Sequence, residues 1–411
     1  MTLALPVLPY MPELAAPKPR DLCTDCGVSR SGDPSRCGRA CQFIDPRYDE
    51  LERAVHGRTR DMGSDERWFG PFAEMRRARL VPAREGAQWT GITTRIGERL
   101  LELGFVDAVL ATASDPEDRW APRPVLVTEP EGMAACRGMK MGFSPVLALL
   151  DEAAARGYRR LAVIGIPCQV HALRALEREL GLERLYVIGT PCSDNTTTAH
   201  FHQFLALLTD RPDEVTYLEF MPDYHVELRF RDGGERRIPF IQLPLASLPA
   251  DFMPLTCRSC FDYTNALADV TVGYMAGEGE QWLVVRNARG RELASLVDEE
   301  LEVAPLGSRG HRAGAVRAFL GALQRTADGL PARRAPAWLK PLIGRMMTAF
   351  GPRGLEFART RVEMKALEGI VTLRRHRPHR LRRMVPAHAW QLAAAYGLTP
   401  TRREHDAMEN R

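Results

Sequence analysis

RLAVIGIPCQVHALRALERELGLERLYVIGTPCSDN, residues 160–195, contains the same design twice. Arg160 to Gly165 is a short apolar run that ends in Ile166-Pro167-Cys168, and helical periodicity follows from Gln169 to Leu180. Arg184 to Gly189 repeats the run, ends in Thr190-Pro191-Cys192 and leads into a helix from about Thr197 to Leu208. Short apolar runs bounded by turn residues read as buried strands. Two successive β-α units of this kind place their strands side by side and parallel. Each cysteine then falls just past the carboxyl end of its strand, where open α/β sheets hold their ligands.

Working outward, the flanking sequence continues the α/β pattern. Gly91 to Leu103 has helical periodicity, and Val106 to Ala113 and Pro124 to Thr128 read as strands. Ser144-Pro145 opens a helix reaching Ala155, with serine as N-cap and proline at the first helical position. Tyr224 to Phe230 and Arg236 to Phe240 flank Asp232-Gly233-Gly234, a hairpin signal. Asp269 to Tyr274 and Trp282 to Arg286 are further strands, and Arg291 to Glu299 a short helix. The fold class expected is α/β with α+β elements: a mixed sheet with flanking helices, an N-terminal cysteine loop and a C-terminal helical extension. The division expected is 1–60, 61–330 and 331–411.

The chain has 411 residues, ample for more than one structural unit around a substantial core. Its 45% hydrophobic and 26% charged content is that of an ordinary globular protein. Residues 1–20 are proline-rich, read as a loosely held arm, and lack the basic start of a signal peptide. No run approaches a spanning helix, so a cytoplasmic protein is expected.

Nine cysteines in that compartment point to metal or redox chemistry rather than disulfides. Cys23, Cys26, Cys37 and Cys41 form C-x2-C-x10-C-x3-C in a loop rich in Gly, Ser and Pro, which needs ligation for its stability. A zinc ribbon and a 4Fe–4S cluster are both open for it. Cys257 and Cys260, in LTCRSCFDYTNALADVTVGYMAG (255–277), are half of a second sulfur site, and Cys168 and Cys192 are the partners the strand ends supply. Cys136 is left over as a plain thiol.

Clusters pass electrons singly, whereas reducing a carbon–carbon or carbon–oxygen bond takes two, which calls for a flavin to store the pair. The sequence has no G-x-G-x-x-G fingerprint. Gly86-Ala87-Gln88-Trp89-Thr90-Gly91 leads into a helix and can offer backbone N–H groups to phosphate. Lys140, Ser144, Asn195, Thr264 and Asn265 are further polar candidates, and Asp262 is a proton-donor candidate that an ordinary turn carboxylate would equally explain.

Pro331 to Arg411 carries 17 Lys and Arg against 6 Asp and Glu, a surplus of about +11 that leaves about −7 of the net +4 on the rest. Trp338 to Phe350 is apolar and helix-like, Leu355 to Leu367 is amphipathic, and Arg374 to Arg383 holds six arginines. No aromatics interleave with that basic run, which argues against nucleic acid. A solvated surface, an acidic electron donor or a peripheral contact with anionic lipid are the readings left.

SCFDYTNALADVTVGYM (259–275), GIPCQVHALRALE (165–177), GTPCSDN (189–195) and DERWFGPFAEMRRAR (65–79) together resemble the family of deazaflavin-dependent hydrogenase/dehydrogenase beta subunits, and within it the branch acting in chlorophyll metabolism. The resemblance runs from about Asp21 to about Arg361. It implies FAD and two 4Fe–4S clusters, one on Cys23, Cys26, Cys37 and Cys41 and the other on Cys168, Cys192, Cys257 and Cys260. It further implies reduced ferredoxin as electron donor and reduction of the 8-vinyl group of a divinyl chlorophyllide or protochlorophyllide to ethyl. A 7-hydroxymethyl chlorophyll substrate or a deazaflavin-linked reaction is the enzymatic alternative, and a zinc-binding interaction module the non-enzymatic one. The family pattern C-x-x-C-G-x-C is broken at Ser29, so that Cys37 takes the third place.

Overall fold

The computed structural model describes residues 9–14, 22–273, 279–330, 335–402 and 404. Its strands are, in chain order, β1 (Glu74–Leu80), β2 (Ala108–Ser114), β3 (Pro122–Val127), β4 (Arg160–Gly165), β5 (Arg184–Gly189), β6 (Val215–Phe220), β7 (His225–Phe230), β8 (Glu235–Pro239), β9 (Val270–Gly273), β10 (Gln281–Val285), β11 (Leu301–Ala304), β12 (Ser308–Arg309) and β13 (Arg353–Gly354). They divide between two compact units, which interleave along the chain.

The first unit is Met1–Cys192, Asp262–Tyr274 and Gly279–Pro305. It is built on an eight-stranded mixed sheet in the order β11-β1-β10-β9-β5-β4-β2-β3. β2, β4, β5 and β9 run parallel, and the β2–β3 and β9–β10–β1–β11 pairings are antiparallel. As the repeated design requires, β4 and β5 pair in full register from Arg160↔Arg184 to Gly165↔Gly189.

Side chains alternate across this sheet, and both faces are buried. Leu110, Leu161, Val163, Leu185 and Val187 share one apolar cluster with Val170 and Leu173 of the helix Pro167–Leu176. Val109, Ala111, Ala162, Tyr186 and Ile188 share the opposite one with Ile92, Ile96 and Leu100 of the helix Ile92–Glu102. The first cluster also takes up Val28, Cys37 and Ala40, so the cysteine loop is packed on the same sheet face as the helix Pro167–Leu176.

Three local expectations are corrected. The helix expected from Ser144 begins at Leu149, after a 3₁₀ turn Val146–Ala148. Ser144 serves tertiary contacts instead: its hydroxyl accepts from Thr112 (3.0 Å) and its carbonyl from the Gln169 amide (2.7 Å). The helix expected from Gln169 starts at Pro167, because proline suits the first helical position and the Gln169 side chain accepts the Ile166 N–H at 3.0 Å. The N-terminal arm lies outside the described residues except for 9–14, and there Tyr10 pairs with Leu126 at the sheet edge. Tyr274, the expected end of β9, is also outside them.

The second unit is Ser193–Phe261, Met275–Glu278 and Leu306–Arg411. It holds the antiparallel sheet β6-β7-β8, whose β7–β8 hairpin turns where Asp232 Oδ1 accepts the Gly234 N–H at 2.9 Å. Its helices include Thr198–Leu208, Arg312–Ala327, Lys340–Phe350 and Leu355–His376. The last, longer than the amphipathic stretch suggested, buries Val362, Ala366, Leu367, Ile370 and Leu373.

Candidate functional site

The N-terminal thiols are gathered by short-range backbone geometry. Cys37 starts the one-turn helix Cys37–Ala40, and the Cys41 N–H closes on the Cys37 carbonyl at 3.2 Å. Gly27 sits at φ +109°, and a Cβ there would stand 2.3 Å from the Ala148 amide nitrogen. That close approach lets the Cys26 carbonyl accept the Leu147 N–H at 3.0 Å, pinning the loop to the sheet face.

The electrostatic neighbours of Cys26 include thiols of both proposed sets. Burial pushes the Cys26 thiol well up, and Cys41, Cys168 and Cys37 push it further. Burial likewise pushes Cys41 up to about 11, with Cys37 and Cys23 adding to it. Several thiolates in one half-buried loop repel one another, so a cationic centre is what would stabilise their deprotonated form. Ser29 lies 5% exposed in the same loop, its hydroxyl without a hydrogen-bond partner. Among the described residues, no three His, Cys, Asp or Glu side chains converge tightly enough to hold a metal ion.

The carboxyl ends of β4 and β5 form the second part of the site. Cys168 occupies the first turn of the helix Pro167–Leu176, while Cys192 lies in the loop before the helix Thr198–Leu208. Asp262 to Asn265 runs across these strand ends. The Cys192 N–H donates to the Tyr263 carbonyl at 3.0 Å, and the Asn265 amide donates to the carbonyls of Gly165 (2.8 Å) and Thr190 (3.2 Å). Asn265 is fully buried at φ +59°, and its Oδ1 has no partner. Gly189 leaves the room this needs, since a Cβ there would meet the Asn265 amide at 2.7 Å.

Two buried charges that sequence reasoning missed clamp this segment. Arg286 donates to the carbonyls of Phe69 (2.7 Å), Pro71 (3.0 Å) and Thr264 (2.8 Å), and burial lowers its pKa to about 10. Asp269 accepts the Val187 N–H (2.8 Å) and pairs with Arg174 (2.8 Å) and Arg289 (3.0 Å); burial works against its charge, but the two guanidinium groups outweigh it and hold the pKa low. The available signal was a lone charge bordering each apolar strand, Asp269 before β9 and Arg286 after β10. Asp262 differs from Asp269. Its two oxygens accept the Ala266 N–H (3.2 and 3.0 Å), and burial raises its pKa against the pull of Arg286 and Arg60 and the hydrogen bonds from the Ala266 and Asn265 N–H groups.

The other polar candidates are placed as follows. Thr90 accepts the Leu80 N–H (3.0 Å) and donates to Gln281 Oε1 (3.1 Å), which also accepts the Ile92 N–H (3.2 Å) at the start of the next helix. Gln88 and Trp89 are half-buried in the preceding turn, and Gly91 caps the helix at φ +96°. Thr264 donates to the Phe69 carbonyl at 3.1 Å. The Lys140 ammonium donates to the carbonyls of Cys136 (2.6 Å) and Arg137 (2.8 Å), and burial lowers its pKa to about 8. Burial puts the Cys136 thiol at about 11.

Cys257 and Cys260 belong to the second unit, and the Cys260 N–H donates to the Cys257 carbonyl at 3.2 Å. Lys365, 2% exposed, donates to that same carbonyl (2.7 Å) and to Asp194 Oδ1 (2.8 Å). Burial pushes the Cys257 thiol up to about 12, against the pull of Lys365 and a hydrogen bond from the Asn195 N–H. Asn195 turns its Oδ1 to the Thr196 N–H at 2.9 Å. The chain leaves the first unit directly after Cys192 and re-enters it at Asp262, two residues past Cys260.

Residues 75–151 match the family described as coenzyme F420 hydrogenase/dehydrogenase, beta subunit N-term, and residues 158–308 match the family model for the C terminus of that same beta subunit. The chain is 38% identical over 391 residues to 7-hydroxymethyl chlorophyll a reductase, chloroplastic, of Oryza sativa subsp. japonica, spanning 92% of this chain and 83% of that protein. It is 37% identical over 381 residues to an uncharacterized protein of Nostoc sp., spanning 92% and 94%. One subunit of the F(420)H(2) dehydrogenase of Methanosarcina mazei is 28% identical over 225 residues, 53% of this chain and 61% of that one. A chain of the F420-reducing NiFe hydrogenase complex from Methanosarcina barkeri has the same fold over 58% of this chain and 84% of its own, with a TM-score of 0.52 and 23% identity. The chain belongs to the family of coenzyme F420 hydrogenase/dehydrogenase beta subunits and is an oxidoreductase.

Proposed function

We propose that this chain is an iron–sulfur flavoprotein reductase of a chlorophyll-type pigment, converting the 8-vinyl group of a divinyl chlorophyllide or protochlorophyllide to ethyl with electrons from reduced ferredoxin. The observation that supports a chlorophyll-type pigment is the 38% identity, over 92% of the chain, to a protein named for reducing a chlorophyll; the 8-vinyl group and ferredoxin rest on the sequence resemblance. Turning the vinyl into an ethyl group consumes two electrons and two protons, so two reduced ferredoxins are oxidised per pigment.

Cys23, Cys26, Cys37 and Cys41 would hold one 4Fe–4S cluster, and the all-thiol donor set with its mutually raised pKa values fits such a group. Cys168, Cys192, Cys257 and Cys260 would hold the other, as the sequence resemblance implies. When bound, the clusters pass electrons singly and a flavin stores the pair and delivers it as hydride. Asn265, with its orphaned buried Oδ1, fits a hydrogen-bond donor on a bound FAD. Gln88, Trp89, Thr90, Gly91, Lys140, Ser144, Asn195 and Thr264 complete the residues proposed to face it. Asp262 is the proposed proton holder, because burial favours its protonated form.

The name of the rice relative favours a second reading, reduction at the 7-hydroxymethyl group. Anaerobically purified protein supports the main proposal if it contains iron, sulfide and FAD and, with reduced ferredoxin, converts divinyl chlorophyllide to the ethyl product. Turnover of 7-hydroxymethyl chlorophyll alone moves the assignment to the second reading. Colourless protein with tightly bound zinc and no flavin overturns both.

A further inference from the structure

The helix Lys340–Phe350, entered through the 3₁₀ turn Ala337–Leu339, has two opposed faces. Inward, Gly344, Met347 and Thr348 line a cleft of ≈ 300 Å³ together with Tyr224, Phe240 and Ile241; half-buried Lys340 also lines it, and Arg345 stands at its border, exposed. The Thr348 hydroxyl fastens this face by donating to the Asp223 carbonyl at 3.2 Å. Outward, Trp338, Leu342, Met346 and Phe350 follow at four-residue intervals and are 78%, 55%, 53% and 61% exposed. That spacing keeps the four side chains on one side of the helix. A folded chain that leaves such a stripe in water, while fixing the other face, has set it out for contact.

Charge says what covers it. From Gly329 to Leu355 the chain has no Asp or Glu and carries Arg333, Arg334, Lys340, Arg345 and Arg353. An apolar stripe containing tryptophan, bordered by cations and free of acids, matches a helix lying flat at an anionic lipid surface. Among the described residues no helix is long and apolar enough to cross a membrane, which leaves the flat orientation. The basic run Arg374–Arg383, for which the sequence left a solvated surface, an acidic donor or anionic lipid as readings, starts from a packed helix. That helix buries Ile370 and Leu373, and Arg374 pairs with Glu404 at 2.7 Å and lies over the Trp390 ring.

We propose that the helix Lys340–Phe350 is an in-plane membrane anchor. Trp338, Leu342, Met346 and Phe350 enter the acyl boundary of an anionic leaflet, and the exposed Arg345 meets its headgroups. The proposal is independent of which pigment the chain reduces.

Co-sedimentation of the full chain with vesicles of phosphatidylglycerol and phosphatidylcholine, and with phosphatidylcholine alone, tests it. The expected result is binding to the anionic vesicles that falls roughly tenfold or more when Trp338, Leu342, Met346 and Phe350 are all changed to Ser. Arg345→Gln should weaken it roughly fivefold. All five positions are substituted without touching the proposed thiol or flavin residues, and an unchanged circular dichroism spectrum verifies the fold. A blue shift of emission on vesicle addition that Trp338→Phe abolishes places that side chain in lipid. Absence of binding, equal binding to both vesicles, or full binding by the four-serine variant overturns the proposal. So does light scattering that shows a wild-type dimer dispersed by the four-serine variant, which assigns the stripe to a second copy.

Discussion

Lys365 holds a positive charge where water barely reaches, beside the Cys257–Cys260 pair. Burial opposes that charge, but Asp194, Cys260 and Glu368 outweigh it and keep the ammonium protonated. Lys365→Met takes its nearer cation from the Asp194 carboxylate, leaving Arg361 at 3.3 Å, and should cost about 1–3 kcal/mol in urea unfolding, with much of the loss recovered when Asp194→Leu is added. Unfolding of the single variant at the wild-type urea concentration would show the pair to be dispensable. Ser29 and Cys37 give a second test at this scale. Cys37→Ala should remove iron from the anaerobically purified protein, whereas Ser29→Ala, which deletes only an unpartnered hydroxyl, should leave the iron content unchanged. The cysteines stood out in the sequence as proposed ligands because spacing is a local pattern. Lys365 was not, since its partner Asp194 is 171 residues away and nothing near either residue marks the pairing.

At the scale of elements, the doubled strand-Pro-Cys design translated directly into β4 and β5, paired along their whole length. The turns after them did not follow the repeat. One cysteine entered a helix whose first turn Pro167 and Gln169 define, and the other stayed in a loop whose Cys192 N–H is taken by Tyr263. Identical strand ends thus diverge once long-range partners compete for the backbone groups that leave them. The N-terminal loop shows the same dependence on a distant partner. Gly27→Ala would bring a Cβ to 2.3 Å from the Ala148 amide nitrogen and also strain the backbone at φ +109°. It should destabilise the protein by roughly 1–3 kcal/mol and, by freeing Cys26, lower the iron content, both read on one preparation by thermal melting and metal analysis. A variant with wild-type melting and full iron content would separate the loop from the segment it packs on.

For the whole molecule, acid sensitivity follows from histidines that the fold buries uncharged. Burial lowers His56 from 6.5 to about 3 while its ring meets the Ala266 carbonyl, and lowers His171 from 6.5 to about 4 beside the Ala40 carbonyl. Below pH 6.5 the unfolded chain binds protons at these sites that the folded chain refuses, so stability is present above that pH and is lost as pH falls toward 4. The melting temperature should therefore decline through this window, and His171→Gln should flatten the decline whatever it does to the value at neutral pH. An unchanged slope would remove His171 from the account. The α/β class, the parallel pair β4–β5 and the hairpin were set by the sequence alone, because apolar period and turn chemistry act over a few residues. Tertiary structure decided the rest: the sheet order, the interleaving of the two units, the Arg286 and Asp269 clamps, and the exposure of the apolar stripe Trp338, Leu342, Met346 and Phe350. Those depend on which distant groups meet, and desolvation makes a buried charge tolerable only where its partner is present, which no local stretch of chain encodes.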